Sequence, residues 1–298
     1  MAYKFKAADS SIETAVRRIA HGQVDKAIAA IDEKEAGKAV HEVRKTCKKV
    51  RGLIRLVRPA MPAYAEANKR FRDIARSLSQ SRDSKVMLDT FDLLAGDARA
   101  EDSESLASLR AHFASAAESI VDDPAAEPLL GEARAELVRA RSEITEWSLE
   151  AEGWDAIGGG MGKVLAKAGK AARKLRKHPD AEHYHELRKL MKYHWYHCRL
   201  LVPIWPRMME ARAQELSELA DTLGLHHDVC VFRNRIDDVP GSAEAARELM
   251  ISLADRRGAM LERDAAPGIA RLLEQSADTV ADHWHGLWTI WRSGCADD

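Results

Sequence analysis

The chain has 298 residues, of which 46% are hydrophobic and 31% are charged. This composition supports a packed core under a strongly charged surface and excludes an intrinsically disordered chain. No apolar run approaches the roughly 18 residues of a membrane span, and residues 1–10 lack the apolar stretch of a signal peptide. The four cysteines are far apart and form no CxxC pair, which favours a reducing, cytoplasmic setting without a disulfide framework or a zinc ribbon.

The sequence predicts helices from one end of the chain to the other. Apolar residues recur three and four positions apart, as at Ile12, Val16 and Ile19 and again at Phe71 and Ile74, which is the spacing of an amphipathic helix. No stretch alternates β-branched and polar residues in the manner of a half-buried strand. The expected breaks are 59–62, 122–128, 153–160, 178–179, 203–206 and 240–241. They predict an antiparallel all-α chain of about eight to ten helices.

One motif occurs twice, with the second copy 144 residues after the first. Residues 41–59 align with residues 185–203, and eight positions are identical. The identical pairs are His41/His185, Glu42/Glu186, Arg44/Arg188, Lys45/Lys189, Lys48/Lys192, Arg55/Arg199, Leu56/Leu200 and Pro59/Pro203, with Leu78/Leu223 and Asp83/Asp228 in the helix that follows. The repeat predicts two similar helical halves, 1–150 and 151–298, each a bundle of about four helices.

Positive charge is concentrated on this motif. Between His41 and Arg58 there are seven basic residues and one acid, although the formal net charge of the whole chain is -1. On a helix, each copy would place apolar residues on one side and basic residues on the other, about 5.4 Å apart from turn to turn. Such a ladder suits a repeating polyanion, whereas a merely solvated helix face usually mixes the two signs. The basic sides comprise His41, Arg44, Lys45, Lys48 and Arg55 in the first copy and His185, Arg188, Lys189, Lys192 and Arg199 in the second.

Neighbouring helices add further basic candidates, each of which could equally be a solvated surface residue. In the second half they form a stripe on the helix before the motif, made of Lys163, Lys167, Lys170 and Lys174. In the first half they are Arg17, His21, Arg51, Arg72, Arg76, Arg82 and Lys85. Together they would widen the positive surface around the two motif helices.

The doubled motif His-x-x-Arg-Lys-x-x-Lys, with the Arg82-Asp83 and His227-Asp228 pairs, resembles the CHAD domain, the conserved histidine α-helical domain. The resemblance covers nearly the whole chain. It implies two four-helix bundles related by pseudo-twofold symmetry, with their basic helices lining a central surface, groove or pore. It also implies binding of inorganic polyphosphate, in some members at polyphosphate or polyhydroxyalkanoate granules, and no catalysis unless a CYTH-type domain is fused to the chain.

Carried over residue by residue, the resemblance assigns polyphosphate binding to the basic sides of both copies and also to Lys49. Arg82 matches the Arg-Asp position of the following helix, where the second copy has His227 instead. Tyr193 and Trp195 stand at positions that are basic in the first copy, so the second half is expected to be less cationic.

The histidines of the motif add a pH dependence to this expectation. A nearby negative charge raises the pKa of a histidine, so His41 and His185 would gain charge beside a polyanion. We therefore expect binding to tighten as the pH falls toward about 6.

An enzyme and a metal protein are the first alternatives. HEVRK and HELRK lack the second histidine of the HExxH zinc-protease motif, and no phosphate-binding GxxxxGK[ST] loop or GxSxG elbow is present, so we expect neither catalysis nor a cofactor. His194 and His197 could share a metal ligand near Cys198, but the surrounding Lys and Arg residues would repel a cation. His194 falls on the apolar side of its helix and is interpreted as a core or interface histidine.

Non-specific binding of RNA or DNA remains open, because a basic ladder attracts any phosphate polymer. Base stacking would need exposed aromatic rings among the cations, and only the second half offers them, at Tyr193, Trp195 and Tyr196. A purely structural helical protein is also possible and would bind no polyanion.

Overall fold

A computed structural model describes residues 3–78, 80–98, 103–121, 126–239 and 244–294, and the side chains of Arg82 and Asp83 lie outside this description, as does Cys295. Within these residues the chain forms eleven α-helices and no strand, which confirms the all-α class. The helices are α1 (Ile12–Glu33), α2 (Ala36–Leu56), α3 (Tyr64–Ser77), α4 (Gln80–Ala95), α5 (Ser103–Val121), α6 (Ala126–Thr145), α7 (Gly153–Lys177), α8 (Ala181–Leu200), α9 (Pro206–Arg235), α10 (Glu244–Leu272) and α11 (Ala277–Gly294). None of the described helices is long and apolar enough to cross a bilayer.

The helix boundaries differ from the sequence prediction at the glycine-rich segment 153–160. We expected a break there, but the segment forms the first two turns of α7. A Cβ atom at Gly160 would lie 1.8 Å from the carbonyl oxygen of Leu56. The glycine therefore lets the backbone of α7 pack directly on the end of α2, and it serves close packing and not chain flexibility.

Breaks that carry no proline bring the described helices to eleven, against the eight to ten that were expected, and two examples flank α4. Helix α3 ends at Ser77 and α4 begins at Gln80. Helix α4 ends before Gly96, whose N–H donates to the carbonyl of Asp92 at 3.1 Å. Conversely, Pro267 lies inside α10 without ending it.

The two motif helices, α2 and α8, pack against each other at matching points of the repeat. A Cβ atom at Gly52 of α2 would lie 2.8 Å from the Cβ of Tyr196 of α8, and these two residues are 144 positions apart, as the motif copies are. His197 Nε2 also lies 3.2 Å from the carbonyl oxygen of Gly52. This crossing fixes the position of both basic helices relative to each other.

Two hydrophobic cores hold the chain together. The larger core contains α1 to α3, α6 to α8, the first part of α9, the end of α10, and α11. The smaller core joins α4 and α5 to the later part of α9 and the first part of α10, and its centre is a cluster of Phe91, Phe113 and Phe232 with ring centroids 5.5 to 6.3 Å apart. Each core combines helices from before and after residue 150, so the crossing of α2 and α8 is supported from both halves of the sequence.

Candidate anion-binding surface

The two motif helices are amphipathic in the way that the sequence predicts. Val40, Val43, Cys47, Val50 and Ile54 of α2 are buried in the larger core. On α8 the buried side includes Tyr184, Leu187 and Met191, and the predicted core position of His194 is confirmed by its complete burial. The remaining sides form what we call the basic surface. It consists of His41, Arg44, Lys45, Lys48, Lys49, Arg51 and Arg55 on α2 and His185, Arg188, Lys189, Lys192 and Arg199 on α8, with His227 of α9 beside them.

The crossing of the helices brings the two copies of the motif together. The guanidinium of Arg55 lies over the ring of Tyr193, 4.0 Å from its centroid. The guanidinium of Arg199 lies 4.9 Å from the centroid of Trp195 and 5.8 Å from that of Tyr3. Stacking of this kind holds a planar guanidinium in place without using its N–H groups.

Three arginines of the basic surface keep their hydrogen-bond donors available. Arg55, Arg188 and Arg199 have no hydrogen bond or ion pair with any described residue, and the Nε atoms of Arg55 and Arg188 are buried without an acceptor. A guanidinium carries five N–H donors and no acceptor. Donors that are already positioned and have no protein partner are the main requirement for gripping an oxyanion.

The other two arginines of α2 already bind protein groups. Arg44 donates from Nη1 to the carbonyl oxygens of Ala75 and Leu78 at 3.0 and 3.2 Å. Arg51 donates from Nε to Oδ1 of Asn68 at 3.1 Å. Both side chains therefore fix α3 against α2.

Burial, and after it the repulsion between neighbouring cations, lowers the pKa of two lysines of the basic surface. Burial lowers the pKa of Lys49 to about 8, and the charge of Arg199 adds to this shift. Lys49 is only 8% exposed. Burial also lowers the pKa of Lys192, although Asp221 lies 3.8 Å from its Nζ. A polyanion placed on this surface would relieve the repulsion and restore the charged forms.

His185 and His227 form a close pair at one end of the surface. Their ring centroids are 4.2 Å apart. Burial lowers the pKa of His185 to about 4, with further contributions from His227, Lys189 and Arg188. The pKa of His227 is lowered by burial as well, against the opposing effect of the Asp228 carboxylate.

Two lysines of the surface are partly neutralised in the same way in each copy. Lys45 pairs with Glu42 at 3.4 Å, and Lys189 pairs with Glu186 one repeat later. All four groups are partly or well exposed, so these pairs are weak and do not prevent the lysines from turning to a ligand.

The lysine stripe predicted on the helix before the second copy lies on α7. Its four members, Lys163, Lys167, Lys170 and Lys174, are all exposed. Helix α7, which carries the stripe, packs as a hairpin with the second motif helix α8.

The outer candidates on α1 bind groups on or after α6. Arg17 donates from Nε to the carbonyl oxygen of Trp147 at 2.7 Å and pairs with Glu13. His21 Nε2 lies 3.5 Å from the hydroxyl of Thr145. These contacts join α1 to α6 and do not involve the basic surface.

The outer candidates on α3 and α4 behave as surface residues. Arg72 pairs with Asp73 at 2.9 Å, and Lys85 pairs with Asp89 at 3.6 Å. Arg76 is exposed near the end of α3. Arg82 cannot be placed, because its side chain lies outside the described residues.

Two residues that support the basic surface were not found by sequence reasoning. Tyr3 donates its hydroxyl to the carbonyl oxygen of Lys49 at 2.7 Å and lies beneath Arg199. Gly224 of α9 supports Arg188, since a Cβ atom at this position would lie 3.1 Å from Nη2. No motif marks Tyr3, whereas the alignment of the repeat could have directed attention to Gly224.

The buried histidines of α8 are engaged by protein groups. His194 Nε2 accepts a hydrogen bond from Arg212 Nε at 3.0 Å. His197 Nε2 faces the carbonyl of Gly52 at the crossing. Within the described part of the chain, no group of three or more potential metal ligands is assembled.

Comparison with known proteins agrees with this architecture. The family model of the CHAD domain matches residues 18–237. The chain belongs to the CHAD family. The crystal structure of the CHAD domain from the plant Ricinus communis shares the fold, with a TM-score of 0.57 at 17% sequence identity over 90% of this chain and 96% of that one. No curated protein matches the sequence.

The family match includes both motif helices of this CHAD chain, α2 and α8, and most of α9 with Gly224 and His227. The basic surface therefore lies entirely inside the matched region.

Proposed function

We propose that the chain binds inorganic polyphosphate on the basic surface and that its role is binding and not catalysis. Polyphosphate binding is known in the CHAD family. The observation that carries the proposal for this chain is the set of three arginines, Arg55, Arg188 and Arg199, which have no acceptor among the described residues. Arginine forks bind phosphate oxygens with two parallel hydrogen bonds.

The placement of the aromatic rings favours polyphosphate over nucleic acid. Lys192 Nζ and the guanidinium of Arg199 lie 4.6 and 4.9 Å from the centroid of Trp195. Tyr193 is covered by Arg55. Rings that carry cations have less surface for bases, and base stacking supplies much of the affinity for single-stranded nucleic acid. The same contacts would attach the protein to polyphosphate granules.

The test is a binding assay with long-chain polyphosphate at about 50 and 300 mM salt, with single-stranded DNA and ATP as competitors. The variant Arg55→Gln/Arg199→Gln removes two of the three arginines without an acceptor. Its matched control is Arg233→Gln/Arg271→Gln, which removes the same charge from two exposed arginines that pair with Asp255 and Glu215.

We expect tight binding by the wild type, weak competition by DNA and ATP, and a loss of affinity in the first variant that is much larger than in the control. Equal competition by DNA at equal phosphate concentration would identify a general polyanion binder. Equal losses in the two variants, or no binding at low salt, would refute the proposal.

A further inference from the structure

The two motif arginines are identical in sequence but have different surroundings. Arg44 and Arg188 occupy equivalent positions in the repeat. Arg44 is bonded to two backbone carbonyls, whereas Arg188 has no acceptor among the described residues. The reason lies in the helix that follows each copy.

In the first half this helix is broken. Helix α3 ends at Ser77, and the last carbonyl groups of a helix have no N–H partner within it. Arg44 supplies the missing donors, because its Nη1 bonds the oxygens of Ala75 and Leu78. Its guanidinium caps the end of α3.

In the second half the helix is continuous. Helix α9 runs from Pro206 to Arg235 and includes Ala220 and Leu223, the counterparts of the two residues that Arg44 caps. In an unbroken helix these carbonyls accept from N–H groups four residues later. They are therefore not available to Arg188, which instead lies against Gly224, within 3.1 to 3.3 Å of the position of a Cβ atom there.

We propose that the second copy of the motif is the dominant phosphate anchor, with Arg188 seated on Gly224 beside His185 and His227, and that Arg44 stabilises the fold instead. This inference rests on the proposed function and deepens it. A short linear polyphosphate binds at the second copy alone, and a long chain continues from there across Arg55 and Arg199 toward α2.

The test compares Arg188→Gln with Arg44→Gln, the matched variant in the other half. Affinity for tripolyphosphate is measured by titration calorimetry, and thermal stability is measured on the same samples. We expect Arg188→Gln to lose about tenfold or more in affinity, since hydrogen bonds to charged groups are strong, and to keep the wild-type melting temperature. We expect Arg44→Gln to melt earlier and to retain an affinity within about threefold of the wild type.

Gly224→Ala provides a second measurement without any change of charge. The added methyl group would displace the Arg188 guanidinium, while alanine is a better helix former than glycine. We expect weaker tripolyphosphate binding at an unchanged or higher melting temperature. Gly162→Ala, at a glycine of α7 with nothing within 4 Å of its Cβ position, is the control and should bind as the wild type does.

The outcomes separate this inference from the proposed function. If the wild type binds long-chain polyphosphate but Arg44→Gln loses as much affinity as Arg188→Gln, the proposed function stands and the anchor is refuted. If Arg44→Gln fails to fold, the tripolyphosphate affinities of Arg188→Gln and Gly224→Ala are compared with that of the control Gly162→Ala. Wild-type affinity in both Arg188→Gln and Gly224→Ala overturns the inference. A wild type that binds no polyphosphate refutes both proposals.

Discussion

The affinity for polyphosphate should increase as the pH falls from about 8 to about 6, and His185 provides the reason. In the free protein its pKa is lowered to about 4 by burial and by the neighbouring His227, Lys189 and Arg188, so the ring is neutral throughout this range. Bound phosphates would raise the pKa of the ring. Binding then takes up a proton, and a reaction that takes up protons is favoured at lower pH.

The size of the effect follows from the two pKa values. If the complex only restores His185 to its ordinary pKa of about 6.5, the affinity at pH 6 is about fourfold higher than at pH 8. A higher pKa in the complex gives a larger ratio. Lys49, with a pKa of about 8, adds about a factor of two over the same interval, mainly above pH 7, because it regains its own proton on binding.

Calorimetric titration with long-chain polyphosphate at fixed salt measures this directly. Long chains are needed because terminal phosphates titrate near neutrality and must remain a small part of the ligand charge. Two buffers of different ionisation enthalpy give the number of protons taken up. His185→Gln should remove most of the dependence below pH 7, and His283→Gln, at an exposed histidine of α11, should retain it.

The reasoning is refuted if the affinity is flat between pH 8 and pH 6. It is also refuted if His185→Gln shows the same slope as the wild type, because the titrating group would then lie elsewhere.

Two predictions concern stability and are checked by urea unfolding. Gly160→Ala should lower the unfolding free energy by about 3 kcal/mol or more, since the methyl group would meet the Leu56 carbonyl 1.8 Å away. The control Gly162→Ala should instead raise the unfolding free energy by about 0.5–1 kcal/mol. Similar values for the two variants would contradict the packing of α7 on α2. His197 should make the wild type lose up to about 1.4 kcal/mol per pH unit below pH 6.5, because burial lowers the pKa of His197 to about 3 and unfolding then takes up a proton. His197→Gln should show a shallower loss, and an equal loss would exclude this residue as the source.

The helices and the doubled motif were predictable because their signals are local. The spacing of Val43, Cys47 and Val50 places all three on one side of α2 wherever that helix packs, and the structure buries all three. The match of His41 to His185 needs only the sequence itself. Such patterns can be recognised in the sequence without any knowledge of the neighbouring helices.

The glycine-rich start of α7 was interpreted wrongly because its cause is not local. Glycines in a row suggest a flexible joint when they are considered alone. Their actual role depends on Leu56, about a hundred residues earlier in the chain, whose carbonyl leaves no room for a side chain at Gly160. The need for glycine at position 160 is therefore set by its packing partner in α2 and cannot be inferred from the glycines alone.

Tyr193, which stands in the second copy where the first copy has Lys49, has a role in the structure that the sequence did not indicate. From the sequence, Tyr193 in place of the first copy's Lys49 made the second half less cationic. At the crossing, however, Tyr193 supports the guanidinium of Arg55, while Arg199 lies near enough to Lys49 to lower the pKa of that lysine. The tyrosine thus removes one repulsive contact between cations and replaces it with a stacking surface, which keeps Arg55 in position for an anion.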